Sequence, residues 1–383
     1  MAESNADKEI IVIGDIEMGA GNLTDDFVAD ETLSQLIEEL SQRPHPVDLI
    51  LNGDTFDFLK CPSKLTPSTE YPRHITTGIS LAKLQLIHRA HKPVFDALKT
   101  FAAQKEKNVF FILGNHDHDL VRKEVQEEIK TILKNKSSIH FPGLSYHQHK
   151  VYVEHGHQYD FLFRINLKHL FLNYRGESIL NFPFVSFGVL SRMMRLKEDH
   201  PFLERINPRP TLLTHHHIIL KKINRYTLEY FIKSLVYYPF RFYSDPTYSF
   251  PMHLLRQFYQ RLRNLNYDIE DIMTVFKRKR GKINDKIYVL GHDHQKRISK
   301  GRKRVIIHPG TWRDEYDFNP KTRELIPRTK RYVQIEVHND EPSYKLIDMP
   351  LNRSIIDFDD VIKNELKYMR LAAKEEKFTQ YLF

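Results

Sequence analysis

The sequence predicts an α/β fold: layered sheets flanked by helices, with an inserted helical cap. Three observations carry this expectation. Short β-branched or apolar runs alternate with amphipathic stretches before residue 160 and again after 283. The stretch between them, 161–282, abandons that alternation for dense Arg, Tyr and Phe punctuated by proline. Five of the strand candidates end in the same punctuation of Gly, Asp, Asn and His.

In chain order the strand candidates are Ile10–Ile13, Leu49–Leu51, Val109–Leu113, Val151–Val153, Ile287–Leu290 and Val305–Ile307. Leu33, Leu36, Ile37 and Leu40 recur at helical spacing, as do Val125, Ile129, Ile132 and Leu133. A helical stretch over Leu81–Lys105 is interrupted at Pro93, whose ring removes a backbone donor. Such alternation implies a largely buried sheet with helices on both faces. Val333–Val337 and Tyr344–Ile347, around the polar Asn339-Asp340-Glu341-Pro342, predict a closing hairpin. Asp357–Lys377 predicts a helical tail packed by Ile362, Leu366 and Met369. The expected organisation is a core of 1–160 and 283–350, a cap of 161–282 and a tail of 351–383.

At 383 residues, 41% hydrophobic and 28% charged, the chain is long and apolar enough to bury a substantial core. Its one cysteine, Cys61, excludes an intrachain disulfide and fits a reducing compartment. Met1–Glu9 is polar, without the apolar stretch of a secretory leader, and no window of about 20 residues could span a bilayer. These features predict a cytoplasmic protein able to sit at the inner face of the membrane. The formal charge of +9 is unevenly spread: 161–282 holds 21 Lys/Arg against 9 Asp/Glu, a net of +12, which leaves −3 for the rest. That segment also holds 22 of the 44 Phe and Tyr. A basic, aromatic segment suits an anionic partner with apolar parts: phospholipid, lipid-linked nucleotide or nucleic acid. A helical insertion with a merely solvated basic face has the same composition.

The punctuated strand ends read Gly14-Asp15-Ile16-Glu17, Gly53-Asp54-Thr55-Phe56-Asp57, Gly114-Asn115-His116-Asp117, Glu154-His155-Gly156-His157 and Gly291-His292-Asp293-His294. Carboxylates, an amide and imidazoles at strand carboxyl ends would converge on one crevice. A lone Asp is usually a helix cap and a lone His an ordinary core residue, but five such ends in succession make coincidence improbable. Oxygen and imidazole donors without thiolates suit manganese, iron, zinc or magnesium. Seven donors exceed what one ion needs. Two ions about 4 Å apart, sharing a carboxylate, account for them and serve phosphoryl displacement.

The ordered set Asp15-x-Glu17, Gly53-Asp54-x-x-Asp57, Gly114-Asn115-His116-Asp117, His155 and Gly291-His292-x-His294 resembles the calcineurin-like metallophosphoesterases. The resemblance implies a metallophosphoesterase-type fold and a first ion on Asp15, Asp54 and His294. Asn115, His155 and His292 would complete a second ion, with Asp54 bridging. It also implies in-line attack on phosphorus by a water activated between the ions. His116 would contact the phosphate or protonate the leaving oxygen, with Asp57 orienting it. Asp117 and His157 would support these groups, or act structurally. Glu17 stands where the family usually has histidine; as a ligand it would favour oxygen-preferring ions. Manganese leads the expected cofactors.

His155-Gly156-His157 followed by Tyr159, Asp160 and Arg164, together with the basic aromatic insertion, resembles the UDP-2,3-diacylglucosamine hydrolase branch. This implies a lipid-linked pyrophosphate cleaved at the membrane surface. The expected lipid contact is the apolar stretch Phe182–Leu190 with Arg192, Arg195 and Lys197 behind it. The alternative is a nuclease or nucleotide phosphodiesterase whose cap stacks bases and neutralises phosphates. A scaffold with a decayed site, of which Glu17 would be the symptom, is the non-enzymatic alternative.

Overall fold

The computed structural model describes residues 6–66, 68–188, 190, 193–249, 271–279, 284–350 and 352–379. Val189, Arg192 and much of the cap's second half lie outside them.

A parallel run of strands comes first: β1 (Lys8–Ile13), β2 (Val47–Asn52), β3 (Lys107–Ile112) and β4 (Ile139–Gly143). The hairpin Arg331–His338 and Glu341–Asp348 adds antiparallel to β1, completing a six-stranded sheet. Its turn is tighter than the sequence predicts, because Glu341 and Pro342 already pair with His338 and Val337. The second sheet has five strands: β5 (Ser145–Gln148), β6 (Val151–Glu154), Ile287–Val289, Val305–Pro309 and Lys296–Lys300.

One expectation is corrected here. The first sheet does not carry helices on both faces. Ile11, Ile13, Leu49, Leu51, Val109 and Phe111 turn one way onto Leu33, Leu36, Ile37, Leu40, Leu98 and Phe101 from helices Asp30–Ser41 and Lys92–Ala103. Their neighbours Ile10, Val12, Ile50 and Ile112 turn the other way and meet Val151, Val153, Ile287 and Ile307 of the second sheet. Strand side chains alternate between faces, so an unbroken apolar run such as Ile10-Ile11-Val12-Ile13 declares both faces buried without saying what buries each. The far face of the second sheet packs Tyr152, Tyr288 and Ile306 against Met273 and Phe276 of helix Ile272–Lys279. The layers thus run helix, sheet, sheet, helix. Proline breaks the second helical stretch as expected: Thr77–Ala90 stops, and Lys92–Ala103 begins with Pro93 in its first turn.

The insertion is not purely helical. Phe171–Tyr174 and Glu177–Leu180 form a two-stranded hairpin, and Ile206–Asn207 pairs with Tyr316–Asn319 in a four-stranded sheet. Leu196, Phe202, Leu203, Ile206 and Leu212 share a core with Tyr316, Leu325, Phe358, Val361 and Met369. In the tail Met369 is buried as its spacing implies, Ile362 packs at the margin, and Leu366 is exposed. The apolar stretch expected to meet lipid faces inward: Phe182, Phe187 and Leu190 pack on Leu59, Ile75 and Leu180. Lys197 is buried too, 2.6 Å from Asp26. No helix among the described residues is long and apolar enough to cross a membrane.

Candidate metal centre

Both sheets deliver their strand carboxyl ends to one crevice. Asp15 comes after β1, Asp54 after β2, Asn115 and His116 after β3, His155 after β6, and His292 and His294 after Ile287–Val289. His155 Nε2 lies 3.1 Å from Asp54 Oδ2 and 3.3 Å from Asn115 Oδ1. His294 Nε2 lies 3.5 Å from Asp15 Oδ1 and 3.4 Å from Glu17 Oε1. Asp54, His155 and His292 offer donor atoms all within 4.8 Å of one another. Backbone N–H groups fix the carboxylates: His292 donates to Asp15 Oδ1 at 2.9 Å and His116 to Asp54 Oδ1 at 2.8 Å.

The loops that do this are strained. Asp15, Glu17, Asp54, His292 and His294 have φ of 52°, 55°, 47°, 75° and 57°. The left-handed region costs a non-glycine residue about 1–3 kcal/mol and persists where the surroundings over-determine it, as at functional sites. At Gly114 a Cβ would collide with the Asp54 carboxylate and backbone N, so only glycine lets β3's loop close on β2's.

The electrostatics of the crevice call for a cation. Burial alone would push Asp54 up, but His155 and His116 outweigh it and hold the carboxyl below its usual range. Burial would push His155 down, yet Asp54 and Asp15 raise it to about 10. His294 likewise overcomes burial through Glu315, Glu17 and Asp15 and rises to about 9. Imidazoles held protonated by buried carboxylates mark a pocket short of positive charge, which a divalent ion supplies by displacing those protons. Asp15 Oδ2 is buried without a hydrogen-bond partner, an orphaned acceptor of the kind a metal satisfies. The donor set fits divalent metals of the oxygen- and imidazole-binding type.

Around these groups each imidazole is held by a further acceptor. His155 Nδ1 faces Asn52 O at 3.1 Å, His292 Nε2 faces Asp160 Oδ2 at 3.2 Å, and His294 Nδ1 faces Glu315 Oε1 at 2.8 Å. Such partners fix ring orientation and basicity. His116 Nδ1 lies 2.8 Å from Asp57 Oδ1; burial would depress this imidazole, but Glu17, Asp57 and Asp54 hold it up at about 9. Asp117 accepts from the backbone N–H groups of Gly114 and Thr55 at 2.6 and 2.9 Å, tying two of the loops together. His157 is buried, and burial, then His155 and His292, depresses its imidazole strongly.

Glu17 is surrounded by cations. Its Oε2 lies 2.9 Å from Lys60 Nζ and its Oε1 3.2 Å from Arg313 Nη1, all three residues being buried. Lys60, Arg313, Asp26 and Glu315 escape sequence reasoning because no periodicity or motif flags them. The one available signal was the carboxylate at position 17, which needs buried positive charge nearby.

No curated protein matches this chain. Among solved structures, a Staphylococcus aureus protein assigned as a 5'-nucleotidase, solved in complex with alpha-ketoglutarate, is 12% identical. The match has a TM-score of 0.33 and covers 97% of this chain and 58% of that one, so this chain spans little more than half its length. A second solved structure is also 12% identical, with a TM-score of 0.29 and coverage of 89% of this chain and 99% of that one. Likeness at this level says nothing of substrate. The model of the calcineurin-like phosphoesterase family, in contrast, matches residues 8–296, three quarters of the chain and every strand end that builds the crevice. The chain therefore belongs to the calcineurin-like phosphoesterases.

Proposed function

We propose that this chain hydrolyses a phosphate ester or pyrophosphate bond with two divalent ions, manganese first among the candidates. The reading is carried by one observation: donor groups from five separate strand ends, Asp15, Asp54, Asn115, His155, His292 and His294, meet in one buried crevice beside His116. Asp15, Asp54 and His294 would hold the first ion, with Glu17 as its further ligand, and Asp54, Asn115, His155 and His292 the second. Bound there, divalent ions supply a water of lowered pKa and neutralise charge on phosphoryl oxygens.

The chain's own groups handle the proton and the substrate. Asp57 holds His116 through Nδ1, leaving Nε2 to give its proton to the leaving oxygen. The His116 side chain keeps 16% exposure, so a substrate can reach it. Arg209, half-exposed beside His294 and Glu315, stands at the rim of the same crevice and can receive an anionic substrate.

For the substrate we infer a lipid-linked nucleotide presented at an anionic membrane surface. The support lies not in the inward-facing Phe182–Leu190 but in the helix His217–Val236 and the turn after it. There Ile218, Leu228, Ile232, Leu235 and Val236 are exposed along the helix, with Lys221, Arg225 and Lys233 among them, and Tyr237, Phe240, Phe242 and Tyr243 are exposed just beyond it. Aliphatic side chains predominate along the helix, which favours acyl chains over stacked bases. The test is metal analysis of the purified protein, then a manganese-loaded screen of phosphomonoesters, phosphodiesters, lipid-linked pyrophosphates and single-stranded nucleic acid. Two metal equivalents with preferential turnover of the lipid pyrophosphate support the reading. Preferential cleavage of nucleic acid replaces it with the nuclease, and a metal-free, inactive protein removes the dinuclear centre.

A further inference from the structure

Three carboxylates beside the crevice, Glu17, Asp26 and Asp57, bring their oxygens close enough to hold a metal ion of their own. That position is already filled from within the chain. Lys60 Nζ lies 2.9 Å from Glu17, 2.7 Å from Asp26, 3.0 Å from Asp57 and 3.2 Å from Glu204. Its ammonium therefore stands where a divalent ion would stand, and Lys60 is almost wholly buried. Arg313 closes the other side, 3.2 Å from Glu17 Oε1 and 2.7 Å from Asp26. Lys197 adds a third cation, 2.6 Å from Asp26 and 2.8 Å from Glu204. Glu17, Asp26, Asp57 and Glu204 thus face Lys60, Arg313 and Lys197, with Arg205 also 3.4 Å from Asp26.

We propose that Lys60 is a built-in cation that takes Glu17 out of the metal's donor set, so that the first ion is held by Asp15, Asp54 and His294 alone. The inference rests on the dinuclear reading and alters its first position. Both oxygens of Glu17 already bind cations in a buried setting, where breaking such a pair leaves uncompensated charge. An ion drawing on Glu17 would sit against an ammonium and a guanidinium, and like charges at close range in a dry pocket repel strongly. Asp15 Oδ2 is buried without a hydrogen-bond partner, as are Asp26 Oδ1 and Asp57 Oδ2, whereas neither oxygen of Glu17 is. Glu17 Oε1 does reach within 3.4 Å of His294 Nε2, so the carboxylate borders the first position. In this arrangement Glu17 is a positioning residue for Lys60 and Arg313, and the first ion, one ligand short, is the more readily exchanged.

The test is calorimetric titration of metal-stripped protein with manganese, counting equivalents and affinities. Wild type should bind two ions, the first-position ion more weakly. Glu17→Gln, nearly isosteric and still able to accept from Lys60, should keep two equivalents, with affinity within about threefold of wild type. Asp15→Asn should lose one equivalent. Lys60→Met frees the Glu17 carboxylate to join the first ion and should tighten it by about tenfold, the reverse of the 10–100-fold loss usual when a residue supporting a metal ligand is removed. Loss of one equivalent in Glu17→Gln, or weaker binding in Lys60→Met, overturns the proposal. Circular dichroism checks each fold; if Lys60→Met does not fold, the Glu17→Gln count decides alone. Failure of wild type itself to bind two ions would instead reject the dinuclear reading.

Discussion

Asp57 grips His116 with one carboxylate oxygen and Lys60 with the other, at 2.8 and 3.0 Å. The buried lysine is thereby coupled to the group proposed to donate the leaving-group proton. His116→Ala should lower turnover by about 10²–10⁴, the usual size of lost general acid–base help. Asp57→Asn, which leaves the ring in place without a carboxylate to orient it, should cost less, about 10–100-fold. Kinetics beside metal analysis check this: both variants should retain wild-type metal content. Loss of metal from His116→Ala would make that imidazole a ligand instead of an acid.

In the proposed dinuclear site Asp54 would serve both ions, so its removal would disturb each. Asp54→Ala should keep less than about a tenth of turnover, a loss of at least ~1.4 kcal/mol in activation free energy. Retention of more than that would reject the bridging assignment.

Gly114→Ala should mimic Asp54→Ala without removing a metal-binding group. The added methyl collides with the Asp54 side chain and backbone. The carboxylate must shift, and the expected result is reduced metal affinity in a protein whose circular dichroism is unchanged. Unaltered metal binding would show that the loop yields without moving Asp54.

Much of this site was legible in the sequence because its residues sit immediately after apolar runs. Ile10–Ile13, Leu49–Leu51 and Val109–Leu113 announce buried strands, and the residues just beyond each run must lie at that strand's carboxyl end. The layering was not legible, since burial of Ile10 and Ile11 on opposite faces does not identify the two partners. Lys296–Lys300, at a sheet edge, and Glu324–Pro327, between two partners, were missed because such short strands alternate too briefly to stand out. Phe182–Leu190 misled for a related reason: an apolar stretch beside cations reads the same whether it meets lipid or, as here, Leu59 and Ile75. Lys60 could not be found from its neighbours in sequence. Its four carboxylate partners, Glu17, Asp26, Asp57 and Glu204, come from four separate stretches of the chain, brought together only by the fold.

His91 offers a pH-dependent test of stability away from the crevice. Its Nε2 lies 3.0 Å from Asp25 and its Nδ1 3.0 Å from Asp30, both pairs buried. Burial would depress the imidazole, but Asp30 and then Asp25 raise it to about 10. A folded-state pKa above the unfolded value of about 6.5 contributes stability that is complete below pH 6.5 and is lost as pH rises towards 10. His91→Gln should cost about 3 kcal/mol at pH 7, because it leaves two buried carboxylates without their cation. The gap from wild type should narrow towards pH 10. Urea unfolding of both proteins at pH 7 and pH 10 measures this; a gap independent of pH would show that His91 is neutral in the native state.

The helix His217–Val236 decides between the two substrate classes. Ile218, Lys221, Arg225, Leu228, Ile232 and Leu235 recur at three- and four-residue intervals, so one stripe is basic in its first half and apolar in its second. Leu228 and Ile232 are 60% and 51% exposed, and Phe240 and Tyr243 beyond the helix are 77% and 91% exposed. A stripe of this kind can bury its apolar half in the acyl boundary while the cations meet anionic headgroups. The protein should therefore sediment with phosphatidylserine-containing vesicles and not with neutral ones, and salt should weaken the association. Leu228→Asp with Ile232→Asp should abolish sedimentation, since each change puts a carboxylate where an acyl chain would lie, and being exposed neither should disturb the core. The same pair should impair hydrolysis of a lipid-linked pyrophosphate far more than that of a small soluble phosphodiester, whose access to the metal centre does not depend on this face. Equal impairment of both substrates would place the helix in the folding of the cap. Steep salt-dependent binding of single-stranded nucleic acid with no vesicle binding would transfer the same stripe to the nuclease reading.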